Sequence, residues 1–306
     1  MSSAAQDEER RGVQTASAFS SLAVPSAGAR HRTRLDFYPP FRLAVLVLVA
    51  AVVLLPLLAA ALGGLKEMGE LRTNPLGLPH VWHWENYWAI LSGPRYWQVL
   101  GNSLVIATAT VVLTLALASM AAFAFAHLRF FGEEFLLTYL TLGLMFPAAA
   151  AILPLFIQVR SLGLLDSYAG VVLPQVAFSL AMATLLLRNG FKQLPTELLD
   201  AARIDGCGYI RYFLHITLPL SLPTLATVGI IAFVGSWNNY LVPLILLNTN
   251  GLYPWPLGLM DYQGQYSTAW QLVLAFITLT ILPAVVIFVA AQRFMVAGLT
   301  AGAVKG

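Results

Sequence analysis

A single cysteine, Cys207, leaves the chain no internal disulfide to form, and redox chemistry is not indicated. Charge is scarce as well: Asp, Glu, Lys and Arg together make up 10% of the 306 residues. No G-x-x-x-x-G-K-S/T stretch occurs, so there is no phosphate-cradling loop with which the chain would hydrolyse ATP. His127 and His215 stand without partners at ligand spacing, and no metal site is expected. No cluster of His, Asp, Glu or Cys assembles a recognisable active site, which argues against a membrane-bound enzyme. A net charge of +3 is too small to argue for nucleic acid.

What remains is oil. Apolar residues make up 58% of the chain, and the mean hydropathy is +0.75, a composition that excludes a soluble domain of this size. The expectation is an all-α integral membrane protein. Residues 1–40, rich in Ser, Ala and Arg and without periodicity, read as a disordered tail. The apolar run begins only after that polar stretch, which argues against a cleavable signal peptide. Residues 41–306 read as one transmembrane domain, with spans near 43–62, 99–126, 135–158, 168–187, 220–247 and 271–291. Pro56 is expected to kink the first, and the third contains Pro147 and Pro154. Thr108, Thr110, Thr114, Ala118 and Ser119 give the second span a small, hydroxyl-bearing character suited to close helix contacts.

None of the six spans contains Asp, Glu, Lys, Arg or His. A proton-coupled carrier places such residues inside the membrane, so their absence argues against one. Sodium coupling through backbone carbonyls stays open. Lys and Arg fall unevenly between the two sides, thirteen against four. The richer side holds the N-terminal tail, the 127–134 turn, the 188–219 loop and the C-terminal tail, which puts both termini in the cytoplasm. Between spans one and two, Trp82, Trp84, Trp88 and Trp97 read as membrane-interface aromatics or as sugar-stacking rings.

The one long polar stretch runs from Thr196 to Gly206 and on to Pro219. Thr196 is expected to cap a helix, with Glu197 and Asp200 near its positive end. Leu198, Ala201 and Ala202 are expected to share one thin face, and Gly206 to supply a turn. A second short helix is expected from Tyr209 to Ile216. Such a helix at a membrane surface is shaped to enter a groove on another protein.

Asp200-Ala201-Ala202, Gly206, Ile216 and Leu218-Pro219 have the spacing of the EAA loop of bacterial ATP-binding-cassette importer permeases, with Asp in place of the usual Glu. Glu85-Asn86-Tyr87, Ser236-Trp237-Asn238-Asn239-Tyr240 and the ending Gly298–Gly306 agree with it. Over residues from about 40 to 306 the chain resembles the sugar-importer permeases similar to the six-span maltose-system subunit, of the type I permease fold.

The resemblance implies a non-catalytic permease subunit of an ATP-driven sugar importer. Its loop 188–219 would couple to an ATPase through Glu197, Asp200, Ala201, Ala202, Gly206, Ile216, Leu218 and Pro219. Implied partners are a second homologous permease, two ATPase subunits, an extracytoplasmic sugar-binding protein and membrane lipid. The chain itself would bind no cofactor, ATP and Mg²⁺ belonging to the ATPase subunits, and the location would be the bacterial cytoplasmic membrane. The C-terminal tail is expected to touch the ATPase pair. Trp237, Asn238, Asn239 and Tyr240 are candidates for the sugar path, with interhelical hydrogen bonding as the alternative. Tyr253, Pro254, Trp255 and Pro256 would face outside, either touching the binding protein or anchoring at the interface. A self-sufficient secondary carrier or channel is the rival reading.

Overall fold

The computed structural model describes residues 39–264 and 267–303. The expected N-terminal tail lies outside the described residues, apart from Pro39 and Pro40. Among the described residues there is no β-strand, only an isolated antiparallel bridge between Gln263 and Thr268. Four helices are long and apolar enough to cross a membrane: α1 (Pro39–Gly63), α4 (Pro94–His127), α7 (Tyr168–Phe191) and α14 (Trp270–Ala303). Two bent pairs bring the number to six if each is one span.

The chain divides into two units at Leu54. The first comprises the N-terminal part of α1, whose apolar side chains, Leu46 and Leu48 among them, are exposed. The second begins at Leu55 and is held by α4 packed along α7, with α11 (Leu222–Trp237) against both and α14 against α11. Ala107, Thr110, Thr114 and Ala118 are fully buried on α4, and Ser119 nearly so, whereas Thr108 is exposed. Small side chains at these positions let the backbones approach closely.

The connection after α1 is ordered by polar contacts. Lys66 is fully buried, and its Nζ donates to the carbonyls of Asn74 at 2.6 Å and Gly77 at 2.7 Å. This wraps the chain around α2 (Met68–Thr73). Asn86 and Tyr87, at the start of α3 (Glu85–Ser92), donate to the carbonyls of Gly64, Lys66 and Ala61. Those two residues of the Glu85-Asn86-Tyr87 motif therefore fasten this segment to the end of α1.

The third expected span is bent. α5 (Glu133–Gly143) gives way at Pro147 to a 3-10 turn (Ala148–Ala151) and α6 (Ile152–Ser161), at 92°. α5 ends at Gly143, and Pro147 shortly beyond its C-cap cannot continue the helix. The 11 residues of α5 reach about 16 Å, short of the roughly 30 Å hydrocarbon core. α7 then starts cleanly, because Ser167 Oγ accepts the Gly170 N–H at 3.1 Å.

The fifth expected span, 220–247, is not one helix. The segments Tyr209–Leu220 and Leu222–Trp237 meet at 78°, and α11 stops at Trp237. After a break at Asn238–Tyr240 the chain continues as α12 (Leu241–Leu246).

Candidate functional site

The polar stretch folds as α8 (Thr196–Ile204) followed by α9 (Tyr209–Tyr212). Pro195, not Thr196, occupies the N-cap, and no side-chain cap bond forms. Thr196 is the first helical residue because Pro195 is extended, at ψ 133°, and ends the preceding turn. Glu197 lies in the first turn and Arg203 in the last, both favourable to the helix dipole. The Arg203–Asp200 pair, 3.8 Å apart and half exposed or more, contributes little.

The end of α8 is a Schellman turn. Cys207 N–H donates to Ala202 O at 2.8 Å and Gly206 N–H to Arg203 O at 3.0 Å, with Gly206 at φ +73°. Cys207 packs in the same apolar cluster as Ala202, the hydrophobic contact that accompanies this turn. A Cβ on Gly206 would meet nothing within 4 Å, so only the backbone angle calls for glycine.

The faces of α8 differ from the expected grouping. Ala202 is buried at 6% exposure, and with Leu199 it packs among Phe191, Tyr212 and Ile216. Ala201 and Leu198 point the other way and are exposed. At 100° per residue, adjacent alanines sit near the boundary of two faces, and the position of the bundle separates them. The outward face also bears Ile204, 87% exposed, and beyond the turn Ile210, 78% exposed. Neither isoleucine was singled out from sequence. Ile204 follows Leu198 and Ala201 at a spacing of three, and that recurrence was the available signal. Arg203 donates to Tyr209 OH at 2.7 Å and lies 5.4 Å from its ring centre, tying α8 to α9.

The expected second helix, Tyr209 to Ile216, is α-helical only to Tyr212. It continues as a π turn (Phe213–Thr217) and α10 (Leu218–Leu220). Leu218 N–H reaches back to Phe213 O. Pro219 has no N–H to continue the regular ladder, and a π turn with a bend follows naturally. Ile216 and Leu218 are half-buried against the chain's own core, whereas Pro219 is exposed.

The second candidate group sits at the opposite end of α11. Trp237 is 2% exposed and stacks on Phe233, with ring centres 5.4 Å apart. Asn238 Nδ2 donates to Val234 O at 3.1 Å, and Asn239 Oδ1 accepts the Val242 N–H at 3.1 Å. Both carboxamides, expected inside a span, therefore finish the ends of α11 and α12 rather than bridging helices. Asn238 and Tyr240 are exposed. The interhelical bond nearby is Ser236 Oγ to Gln175 Oε1 at 2.5 Å, between α11 and α7, and Gln175 is only 4% exposed. A lone glutamine in an apolar run was the sequence signal for it.

Tyr253, Pro254, Trp255 and Pro256 are drawn into that same end of the bundle instead of standing free. Pro254 and Pro256 are buried, and Trp255 and Tyr253 half-buried. Among the described residues no group of three His, Cys, Asp or Glu side chains is placed to hold a metal ion. Of the ending Gly298–Gly306, the backbone is helical through Ala303, and residues 304–306 lie outside the described residues.

Known proteins match this arrangement along most of the chain. Residues 114–300, which include α8, match the family model described as binding-protein-dependent transport system inner membrane component. The chain is 36% identical over 262 residues to the arabinooligosaccharides transport system permease protein AraQ of Halalkalibacterium halodurans, covering 84% of this chain and 93% of that one. It is 33% identical to the trehalose transport system permease protein SugB of Mycobacterium tuberculosis (85% and 95% covered). It is 35% identical to the sn-glycerol-3-phosphate transport system permease protein UgpE of Escherichia coli (83% and 93% covered). A crystal structure of a bacterial ABC transporter that imports alginate contains a chain of the same fold, with a TM-score of 0.72 at 21% identity over 83% of this chain and 95% of that one.

Proposed function

This chain belongs to the family of binding-protein-dependent transport system inner membrane components, and from that premise we propose that it is one permease subunit of an ATP-driven carbohydrate importer. It is a multi-pass membrane protein and performs no chemistry on its cargo. It forms half of a translocation path with a second, homologous permease. Two ATPase subunits, which bind the ATP and Mg²⁺, sit on the cytoplasmic side, and an extracytoplasmic binding protein delivers the sugar. The thirteen-to-four division of Lys and Arg supports placing both termini and α8 in the cytoplasm of a bacterial inner membrane.

One observation carries the coupling assignment. α8 has two apolar faces, and among the described residues only one of them is covered. Leu199 and Ala202 are packed, while Leu198, Ala201 and Ile204 are exposed along the length of a short helix. Glu197, Asp200 and Gly206 rim that face and are exposed. Seated in an ATPase cleft, it would pass motion through Ile216, Leu218 and the Pro219 bend into α11. ATP binding draws the two such helices of a permease pair together and opens the path outward, and hydrolysis returns it inward. At the other end of α11, the exposed Asn238 and Tyr240 face the path, and Trp237 and Asn239 hold the break that presents them.

Affinity purification from the native membrane in mild detergent, followed by mass spectrometry, tests the assembly. The expected result is co-recovery of an ATPase, a second permease and a binding protein. A homo-oligomer alone, with no ATPase even after crosslinking at Cys207 and with ATP-independent uptake in vesicles, would establish the secondary carrier instead.

A further inference from the structure

The segment from Asn248 to Tyr262 is not looped over the bundle but built into its end. Leu257 is 1% exposed, and a Cβ on Gly258 would lie 3.1 Å from Phe276 Cζ and 3.3 Å from Val99, so the backbone there touches α14 and α4. Asn102, on α4, donates from Nδ2 to the carbonyls of Gly251 at 2.8 Å and Tyr253 at 3.0 Å, and its Oδ1 accepts from Tyr168 OH at 2.7 Å. Ser103 Oγ accepts the Trp255 backbone N–H at 2.7 Å. Asp166, ahead of α7, accepts the N–H groups of Asn248 and Thr249 at 2.9 Å each. Arg95, at the start of α4, pairs with Asp261 at 2.7 Å and donates to Asn250 O at 2.6 Å. Every one of these hydrogen bonds and ion pairs fixes the segment to α4 or to the α7 end.

One bond goes elsewhere. Trp255 Nε1 donates to the carbonyl of Trp237 at 2.7 Å. That carbonyl belongs to the last residue of α11, and the break at Asn238–Tyr240 leaves it no helical acceptor role among the described residues. A buried carbonyl needs a partner, and the indole supplies it. α11 is unbroken for 16 residues, so a displacement of Trp237 is delivered to Leu222, next to the Pro219 bend and α8.

We propose that Trp255 is a positioning residue for transport. Its indole N–H joins the 248–262 segment to α11, so that engagement of that segment from outside shifts the helix whose other end leads to the ATPase. The inference rests on the importer reading, which places the segment on the binding-protein side and α8 on the ATPase side.

The test uses the complete transporter in proteoliposomes, with ATPase activity measured against binding-protein concentration. Trp255→Phe keeps an aromatic ring and removes the N–H. The expected result is about a tenfold fall in the maximal binding-protein-stimulated rate, the order of one lost bond to a buried carbonyl. Basal ATPase, subunit recovery and the half-saturating concentration of binding protein should stay as in the wild type. A raised half-saturating concentration with an unchanged maximum would make Trp255 a docking contact and overturn the proposal. Basal and stimulated rates falling together, or no change at all, would overturn it equally. Ser103→Ala, which releases only the Trp255 backbone N–H, should lower the same maximum to a smaller degree, and it decides the matter if the Phe variant does not assemble. A wild-type complex with no binding-protein stimulation would instead remove the importer reading itself.

Discussion

Replacing Gly206 separates the shape of the α8 turn from its chemistry. The residue sits at φ +73°, and a Cβ there would meet nothing within 4 Å. Gly206→Ala therefore adds no clash, and its whole cost is the left-handed backbone, about 1–2 kcal/mol for an ordinary L-residue. If the ATPase cleft accepts only the native turn, that energy weakens its hold on α8 by about 5–30-fold. Gly206→Asn should be milder, because Asn enters the left-handed region more readily. Gly206→Pro should be the most severe. The ring holds φ near about −65°, and the N–H that bonds Arg203 O at 3.0 Å is gone. The assay is ATPase binding to membranes containing equal amounts of each inserted variant, together with ATP-dependent uptake. The expected order is wild type, Asn, Ala, Pro, with uptake abolished in the last. Wild-type behaviour in Ala and Pro, or an Asn variant worse than Ala, would refute the argument that the turn's backbone angle is what coupling requires.

Ile204→Glu should insert and fold normally, since the side chain is 87% exposed, yet lower ATPase recovery by about 10–100-fold, the worth of burying one isoleucine at an interface. Unaltered recovery in a pull-down would remove Ile204 from the contact. Asn238→Leu should change the sugar preference or apparent affinity of uptake; identical kinetics for several sugars would leave Asn238 as a helix-end residue only. The Thr249 hydroxyl, with the N–H groups of Thr249 and Asn248, holds the Asp166 carboxyl below its ordinary range. A depressed folded pKa means that the contribution is complete above the ordinary carboxylate pKa and is lost as pH falls through the folded value. Protection of Asn248 and Thr249 amides from hydrogen exchange should therefore persist through mildly acid pH and fail only in stronger acid. Asp166→Asn, which tolerates the native φ of +53°, should remove that pH dependence, and an unchanged profile would count against the carboxylate as the latch.

Several features of this protein were readable one stretch at a time. An apolar run long enough to cross a bilayer is visible without knowing its neighbours, as the helices Pro94–His127 and Tyr168–Phe191 show. A glycine closing an amphipathic helix announces a left-handed turn, and Gly206 adopts one. The family resemblance was legible for the same reason, because its motif occupies one short loop. Pro147 marked a bend, whereas α1 runs through Pro56 as one helix, and local chemistry does not state the angles of 92° and 78°.

The rest depended on partners far apart in the chain. A helical period assigns residues to faces, yet it does not say which face the bundle takes, so Ala201 and Ala202 were grouped although one is exposed and the other buried. Asn238 and Asn239 looked like membrane-embedded amides, because nothing nearby signals that α11 ends at Trp237. The Trp255 indole finds its acceptor 18 residues back, and the Asn102 amide reaches carbonyls 149 and 151 residues ahead. Composition determined that this chain is a polytopic membrane protein, and the resemblance of one polar loop to a known motif implied a permease. Only the tertiary structure decided which side chains α8 presents and how the far end of α11 is held, because burial and hydrogen-bond pairing belong to the packed bundle and not to any one of its segments.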